Sequence, residues 1–225
     1  MLNMNEFKKS LRSEKKVTHK RKIKSKPQTW QFYKTYKKGK NGDKIYQKRI
    51  STKSELNQND YLGGVSCFII NENGNILIEQ RGNTKITAGE MDLCSGHIDN
   101  NETPTQAMIR EYIEELHRGD INEQGQARNE AINNLKKLDE LDLVFKNKGN
   151  ERKFFIQFYA MKTKLNKLTI QKEEISDVKW IPMEDAFELI RQGKTKFPYD
   201  KRYEKIFKKV REYYLEKDKN DMHRE

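Results

Sequence analysis

The segment from Gly96 to Leu116 constrains the fold of this chain most, because it contains an explicit helix start. Thr103 can cap a helix, Pro104 suits the first helical position, and Gln106 completes a capping box with Thr103. Apolar residues then follow at helical spacing, at Ile109, Tyr112, Ile113 and Leu116. The pattern predicts an amphipathic helix that begins near residue 104 and packs one side against a hydrophobic core.

The other side of this helix carries Glu111, Glu114 and Glu115, flanked by Arg110. At about 100° per residue, the three carboxylates share an arc of roughly 100°. They repel one another by about 0.2–0.5 kcal/mol for each pair on neighbouring turns. A divalent cation such as Mg²⁺ reverses that repulsion, because it binds carboxylate oxygens together with water and phosphate.

The spacing of the segment distinguishes it from an ordinary acidic helix, in which a Glu-Glu pair is usually only solvated. Gly, five residues, Glu, seven residues, Arg-Glu, two residues and Glu-Glu are supplied by Gly96, Glu102, Arg110, Glu111, Glu114 and Glu115. This segment resembles the Nudix box. The strand–turn–strand pattern of residues 65–81 and the segment 173–182 are also similar to that family, so the resemblance covers roughly residues 61–190.

The resemblance implies an α+β fold, a Nudix-type α/β/α sandwich with a mixed β-sheet, and hydrolysis of a nucleoside diphosphate linked to another group with Mg²⁺ or Mn²⁺. By position it implies four metal ligands: the carbonyl of Gly96 and the carboxylates of Glu111, Glu114 and Glu115. Arg110 would hold the carboxylates in place together with Glu102. The general base would be a glutamate of the box or Glu174 of a later loop, with Glu173 as the next loop candidate.

Two residues depart from the family pattern at the end of the helix. The box usually closes with Gly and an aliphatic residue, and His117 and Arg118 stand there instead. Glycine at that point permits a positive φ, so His117 predicts a different exit, with one further turn to Gly119.

A more distant similarity leads to isopentenyl-diphosphate isomerase, whose signature places Cys, one residue and His before the equivalent helix. When the boxes are matched, His97 coincides but Ser95 occupies the Cys position, and Cys94 is off by one. The isomerase therefore stays an alternative, beside the bland interpretation of Cys94 as a small buried residue.

Periodicity predicts the remaining elements. Hairpins are expected over residues 29–46 and 65–81, and strands over 153–160 and 178–181. Residues 126–140 suggest a surface helix, with Ala131, Leu135 and Leu138 at helical spacing. Further helices are predicted from Pro182 through Ile190, with Gly193 just beyond, and over about residues 200–216.

Charge is distributed unevenly along the chain. Residues 1–50 hold 17 Lys or Arg against three Asp or Glu, whereas the other 175 residues hold 29 against 31. We expect a basic, mobile arm over residues 1–26, a β-hairpin extension over 27–60, the Nudix domain over 61–217 and a polar tail over 218–225. The arm is usually a solvated terminus in such chains, but residues 1–50 could contact RNA or another polyanion, which keeps an RNA 5′-end pyrophosphohydrolase as an alternative.

Two cysteines cannot build a disulfide framework, and no apolar run reaches signal-peptide or membrane-span length. We therefore expect a cytoplasmic protein without a membrane segment. The partner is expected to be a small nucleoside diphosphate derivative, whose identity and the oligomeric state the sequence leaves open.

Overall fold

A computed structural model describes residues 33–50, 60–82, 88–99, 102–147, 150–165, 167–196 and 198–221. The expectations for the arm of residues 1–26, for residues 29–32 of the first predicted hairpin and for the end of the tail lie outside these residues. Within them the chain forms one mixed β-sheet and four helices.

Nine strands make up the sheet: β1 (Tyr33–Lys38), β2 (Lys44–Ile50), β3 (Tyr61–Ile70), β4 (Asn75–Arg81), β5 (Met91–Asp92), β6 (Cys94–His97), β7 (Lys136–Asn147), β8 (Asn150–Lys162) and β9 (Ile175–Pro182). The central strand β3 pairs in parallel with β8 along its whole length and antiparallel with β1, β4 and β6. In addition, β9 pairs antiparallel with β4, and β7 with β8.

The helices are α1 (Pro104–Leu116), α2 (Ile121–Asn134), α3 (Met183–Arg191) and α4 (Tyr203–Asp221). Two of them begin at side-chain caps: Thr103 caps α1 through a complete capping box, and the Asp120 side chain accepts from the backbone of Asn122 and Glu123 at the start of α2. Gly193, with a φ of 64°, lies just beyond α3 as predicted.

Alternation along β3 separates two hydrophobic cores, because successive side chains of a strand point to opposite faces of the sheet. Phe68 and Ile70 belong to the first core, with residues of α3 and α4 such as Phe187 and Phe207. Cys67 and Ile69 belong to the second core, with Ile109, Tyr112, Ile113 and Leu116 of α1 and Ala127 and Ala131 of α2. Helices thus cover both faces of the sheet, which confirms the predicted α/β/α sandwich with a mixed sheet.

The prediction of one helix over residues 126–140 was wrong. Helix α2 begins at Ile121 and ends at Asn134, and Lys136 opens the long strand β7. Leu141 and Leu143 are buried while Asp142 between them is more exposed, which is the period of two expected of a strand; Leu138, also buried, lies at the register shift between Lys137 and Asp139. The spacing from Ala131 to Leu138 resembled a helix only because the chain changes from one period to the other within it.

The first hairpin, β1–β2, extends the sheet. Strand β1 pairs with the start of β3 at Thr35 and Tyr36, and Asn41 and Gly42 lie in its turn as predicted. Two ion pairs, Lys38–Asp142 and Lys44–Glu140, both 2.8 Å, join the hairpin to β7. Among the described residues, no helix combines the length and the apolar character that crossing a membrane requires.

Candidate active site

The predicted acidic helix is α1. Its capping hydrogen bonds place the helix start where the sequence predicted it. Thr103 Oγ1 accepts from the Gln106 backbone at 3.2 Å, and Gln106 Oε1 accepts from the Thr103 backbone at 2.8 Å. The four apolar residues of its stripe are all buried against the sheet. This packing fixes which way Arg110 and the three glutamates point.

Strand β6 delivers Gly96 directly beneath the first of these glutamates. Gly96 pairs with Val65 of β3, and a Cβ atom added to it would lie 2.0 Å from the carboxyl carbon of Glu111. Any larger residue would displace that carboxylate. The glycine of the box thus lets the Glu111 carboxylate lie against the backbone of β6.

Arg110 joins the acidic groups into one network. Its Nε and Nη2 donate to the two oxygens of Glu102 at 3.1 and 2.9 Å, and its Nη1 donates to Glu111 at 2.7 Å and Glu114 at 3.2 Å. Nη2 also donates to the carbonyl of His97 at 2.9 Å. A bidentate pair of this kind fixes orientation as well as charge, so Arg110 couples the loop before α1 to the acidic side of the helix.

A cavity of about 380 Å³ opens over this network. Of the residues predicted for the site, those that line it are Gly96, Arg110, Glu111, Glu114, Glu115 and Glu174. Glu102 is not part of the lining; it lies behind Arg110 and accepts from the Asp99 backbone at 2.6 Å. The structure thus brings together six of the predicted residues and places Glu102 as their support.

The three glutamates differ sharply in exposure, which the helical arc did not predict. The Glu114 side chain is 53% exposed and that of Glu111 13%, whereas Glu115 is 7% exposed and lies against Cys94. Burial raises the pKa of Glu111 to about 7, although Arg110 opposes the shift. Burial, followed by the charges of Glu79 and Glu111, raises the pKa of Glu115 well above its ordinary value.

Sequence reasoning missed two acidic residues beside the helix. Glu79 of β4 is 4% exposed, and burial together with Asp92 raises its pKa to about 8. Asp92 of β5 pairs with Glu79 across the strands and accepts from Ser95 Oγ at 3.0 Å. The available signal was Glu79 itself, a carboxylate that directly follows the apolar run of residues 76–78 on a buried strand.

Basic side chains also line the cavity. They are Arg81, Arg118 and Lys196, and they were not predicted for the site. Arg81 Nη1 and Lys196 Nζ lie 3.3 and 3.7 Å from the Asp92 carboxylate. The cavity is therefore lined by both carboxylates and cations, an arrangement suited to an anionic ligand together with a metal ion.

The two loop glutamates are separated by the structure. Glu174 lines the cavity, just before β9, and its charge contributes to the raised pKa of Glu111 and Glu115. The Glu173 side chain is 70% exposed, and its Oε2 lies 3.3 Å from Arg118 Nη1. Of the two, only Glu174 stands where a group in the cavity could reach it.

The predicted extra turn to Gly119 is absent, because α1 ends at Leu116 and His117 caps it with a φ of −132°. The His117 ring is fully buried, with its Nδ1 3.5 Å from Glu123 and its ring 4.6 Å from that of Tyr112. Burial lowers the pKa of His117. Backbone hydrogen bonds from Arg118 to Thr169 and from Thr169 to Leu116 replace the missing turn, so the chain leaves the helix without a positive φ.

Known proteins were compared with this fold and site. The family model for the NUDIX domain matches residues 60–206, and the curated proteins contain no match. The crystal structure of DR0079 from Deinococcus radiodurans is 17% identical, covers 79% of this chain and 98% of its own, and has a TM-score of 0.52. The NUDIX domain of Shewanella oneidensis NrtR, complexed with ADP ribose, is 17% identical over 72% and 92% of the two chains, with a TM-score of 0.46. A C. elegans Ap4A hydrolase is 16% identical over 68% and 97%, with a TM-score of 0.43.

The family model spans well over half of the sequence, and the DR0079 structure shares the fold. The chain belongs to the Nudix family. Its class is that of the Nudix pyrophosphohydrolases.

Proposed function

We propose that the cavity over α1 hydrolyses the pyrophosphate bond of a nucleoside diphosphate linked to another group, with Mg²⁺ or Mn²⁺ as cofactor. The observation that carries the proposal is the convergence of Glu111, Glu114 and Glu115 on one cavity that basic side chains also line. Burial raises the pKa of Glu111 and Glu115, which supports the proposal because a buried carboxylate is costly unless a nearby cation neutralises its charge. A divalent cation would do so.

The residues present suit such a cation. Carboxylate and carbonyl oxygens are the donors that Mg²⁺ and Mn²⁺ prefer, and Gly96 leaves Glu111 the space to lie against the backbone of β6. We assign the metal to Glu111, Glu114, Glu115 and the carbonyl of Gly96. When bound, it would neutralise phosphate charge and make a water molecule more acidic.

The remaining roles follow from position. Arg110 and Glu102 hold the carboxylates in place, and Arg81 and Lys196 face the phosphates of the substrate. Glu174 accepts the proton of the attacking water, whose oxygen forms a new bond to phosphorus as the bridging P–O bond breaks. Arg110 already engages Glu111, and Glu115 is buried against Cys94, so Glu174 is the better-placed base.

A substrate panel tests the proposal. Nucleotide sugars, dinucleoside polyphosphates, dNTPs and 5′-triphosphate RNA would be incubated with the protein in Mg²⁺, in Mn²⁺ and in excess chelator. We expect hydrolysis of at least one class that stops on chelation. The matched variants are Glu174→Gln, which removes the proposed base, and Glu173→Gln, which removes only the exposed neighbour. Full turnover by Glu174→Gln would exclude the assigned base.

The same panel also tests two alternative functions. The basic excess of residues 1–50 favours RNA 5′ ends as a second candidate, since Lys and Arg contacts give salt-dependent affinity for any polyanion. Deletion of residues 1–26 should then reduce hydrolysis of triphosphate RNA selectively and leave that of small nucleotides intact. For the isomerase, isopentenyl diphosphate is the substrate to add; Cys94 is buried beside Glu115 and does not line the cavity, so we expect no turnover.

A further inference from the structure

A second group of metal-ligating side chains lies behind the proposed Mg²⁺ position. It consists of Glu79 of β4, Cys94 of β6 and Glu115 of α1, whose ligand atoms all lie within 4.8 Å of one another. Cys94 Sγ is 3.6 Å from Glu115 Oε2. Glu79 is 4% exposed, Cys94 1% and Glu115 7%, so the cluster lies in the protein interior. Each residue comes from a different strand or helix.

One atom of this group lacks a hydrogen-bond partner. Glu79 Oε1 is buried and accepts no hydrogen bond from any described residue. Burying a carboxyl oxygen without a partner costs free energy, and a cation bound beside Glu79 Oε1 would offset that cost. The basic side chains nearby, Arg81 and Lys196, contact the Asp92 carboxylate.

The donor set identifies the class of ligand. Two carboxylates and a thiolate suit a cation, and a sulfur donor selects Zn²⁺ or a similar thiophilic ion over Mg²⁺. An anionic ligand would meet carboxylates of its own charge there. Glu115 also lines the cavity, so the cluster adjoins it.

We propose that Glu79, Cys94 and Glu115 form a second cation site, for Zn²⁺ or another thiophilic divalent ion, that shares Glu115 with the proposed Mg²⁺ position. Binding converts the Cys94 thiol to the thiolate and releases its proton, and any proton held by the two carboxyl groups, to solvent. The proposal rests on the proposed function only in that Glu115 is common to both sites. It requires no hydrolysis.

Cobalt is the probe for this site, because Co²⁺ replaces Zn²⁺ and a cobalt–thiolate bond absorbs in the near ultraviolet. The full-length protein, freed of metal by chelation and dialysis, would be titrated with Co²⁺. We expect a thiolate charge-transfer band that saturates at one equivalent and disappears when Zn²⁺ is added. Absence of the band in the wild-type protein would overturn the proposal.

The chain offers a matched control for the cysteine. Cys67 is the cross-strand neighbour of Cys94, equally buried and also free, but it is not one of the three ligands. The band should vanish in Cys94→Ser and persist in Cys67→Ser, with circular dichroism confirming that both variants fold. A band retained in Cys94→Ser, or lost only in Cys67→Ser, would refute the assignment.

A second variant keeps the proposal testable if Cys94→Ser does not fold. Glu79→Gln preserves size and the thiol but removes one charged ligand, and it should weaken Zn²⁺ binding at least tenfold, measured by competition with a chromophoric chelator. Glu173→Gln, on the exposed loop, should leave the affinity unchanged. Unchanged affinity in Glu79→Gln would also refute the site.

One further variant distinguishes failure of the inner cation site from failure of the proposed function. Glu114→Gln alters the exposed ligand of the Mg²⁺ position and leaves the three residues of the inner cluster in place. It should lower hydrolysis and retain the cobalt band. Loss of hydrolysis with an intact band therefore concerns the outer position alone, whereas hydrolysis without any band refutes the inner site alone.

Discussion

The two hydrophobic cores, one on each face of the sheet, differ in the side chains that they bury. The core beneath α3 and α4 is aromatic and aliphatic, with Phe187 stacked on Phe207 at 4.3 Å between ring centroids and Phe68 edge-on to both. Charged groups of these helices stay at the surface, as in the pair Arg211–Glu184. The core beneath α1 and α2 instead contains buried ionisable side chains: Glu79, Cys94, Glu115 and His117.

This difference in composition indicates that the α3–α4 face mainly stabilises the fold, while the α1 face serves the proposed function. Apolar burial on the α3–α4 face stabilises the fold without any ligand, whereas buried carboxylates on the α1 face cost free energy until a cation neutralises them. Unfavourable groups of this kind persist where function requires them and the rest of the fold can offset them. The α1 face should therefore respond to metal and to pH near neutrality, whereas the lowered pKa of Asp139, which bonds to Lys209 and Lys205 of α4, restricts any pH response of the α3–α4 face to acid conditions.

The largest effect is expected from Phe207→Ala, which empties the centre of the α3–α4 core. Phe207 is fully buried. Its removal should lower the free energy of unfolding by about 3–5 kcal/mol, measured by urea denaturation. Leu215→Ala is the control, since Leu215 lies on the same helix but is 60% exposed, and it should change stability by less than about 0.5 kcal/mol. Equal losses in the two variants would mean that this face is not the stabilising one.

On the α1 face, Glu115→Gln should lower kcat by about a hundredfold or more, equivalent to roughly 2.7 kcal/mol of transition-state stabilisation. Stability in the presence of chelator should stay the same or rise, because a buried amide is less costly than a buried carboxylate. Steady-state kinetics and thermal unfolding measure the two effects. A variant that is both inactive and less stable would remove the distinction between the faces.

The pH dependence of stability should also come from the α1 face. Burial raises the pKa of Glu111 to about 7 and that of Glu79 to about 8, so the folded state binds more protons than the unfolded state between about pH 4.5 and 8. Stability in chelator should therefore fall as pH rises through this window, on the order of 1–3 kcal/mol. Added Mn²⁺ should flatten the profile. A profile in chelator that rises from pH 5 to pH 8 would contradict the assigned burial.

The smallest effect concerns the helix cap. Thr103→Ala removes the side-chain acceptor at the start of α1 and should cost about 1 kcal/mol, with little change in kcat once the protein is folded. Thr103→Ser keeps the acceptor and should restore the stability. Both are measured by urea denaturation beside the kinetic assay. A large loss of kcat in Thr103→Ala at full folding would make the cap part of the site.

The sequence predicted the α1 side of the site better than its surroundings. The cap at Thr103 and the six positions of the box are local patterns, so they can be recognised in the sequence without knowledge of the sheet. Asp92 could not be found in this way, and Glu79 offered only the signal of a carboxylate directly after an apolar run, because strand pairing between β4 and β5 places them beside α1 from far away in the sequence. Burial of Glu115 was missed for the same reason. Helical periodicity predicts the direction of a side chain, but not which residues of other elements cover it.

The same reasoning explains the errors outside the site. The change from helix to strand at Leu135 follows from the pairing of β7 with β8, which no local period reveals. His117 ends the helix because the neighbouring segment around Thr169 satisfies the backbone there. Both corrections concern contacts between segments that are distant in the sequence.

The most direct test of the account is the Mg²⁺ dependence of kcat for the best substrate of the panel, in the wild-type protein, Glu111→Gln and Glu173→Gln. The account predicts saturable activation by Mg²⁺ in the wild type, a loss of about a hundredfold or more in Glu111→Gln, and near-normal turnover in Glu173→Gln. Full turnover in excess chelator, or equal turnover by Glu111→Gln and the wild type, would contradict a metal site on α1.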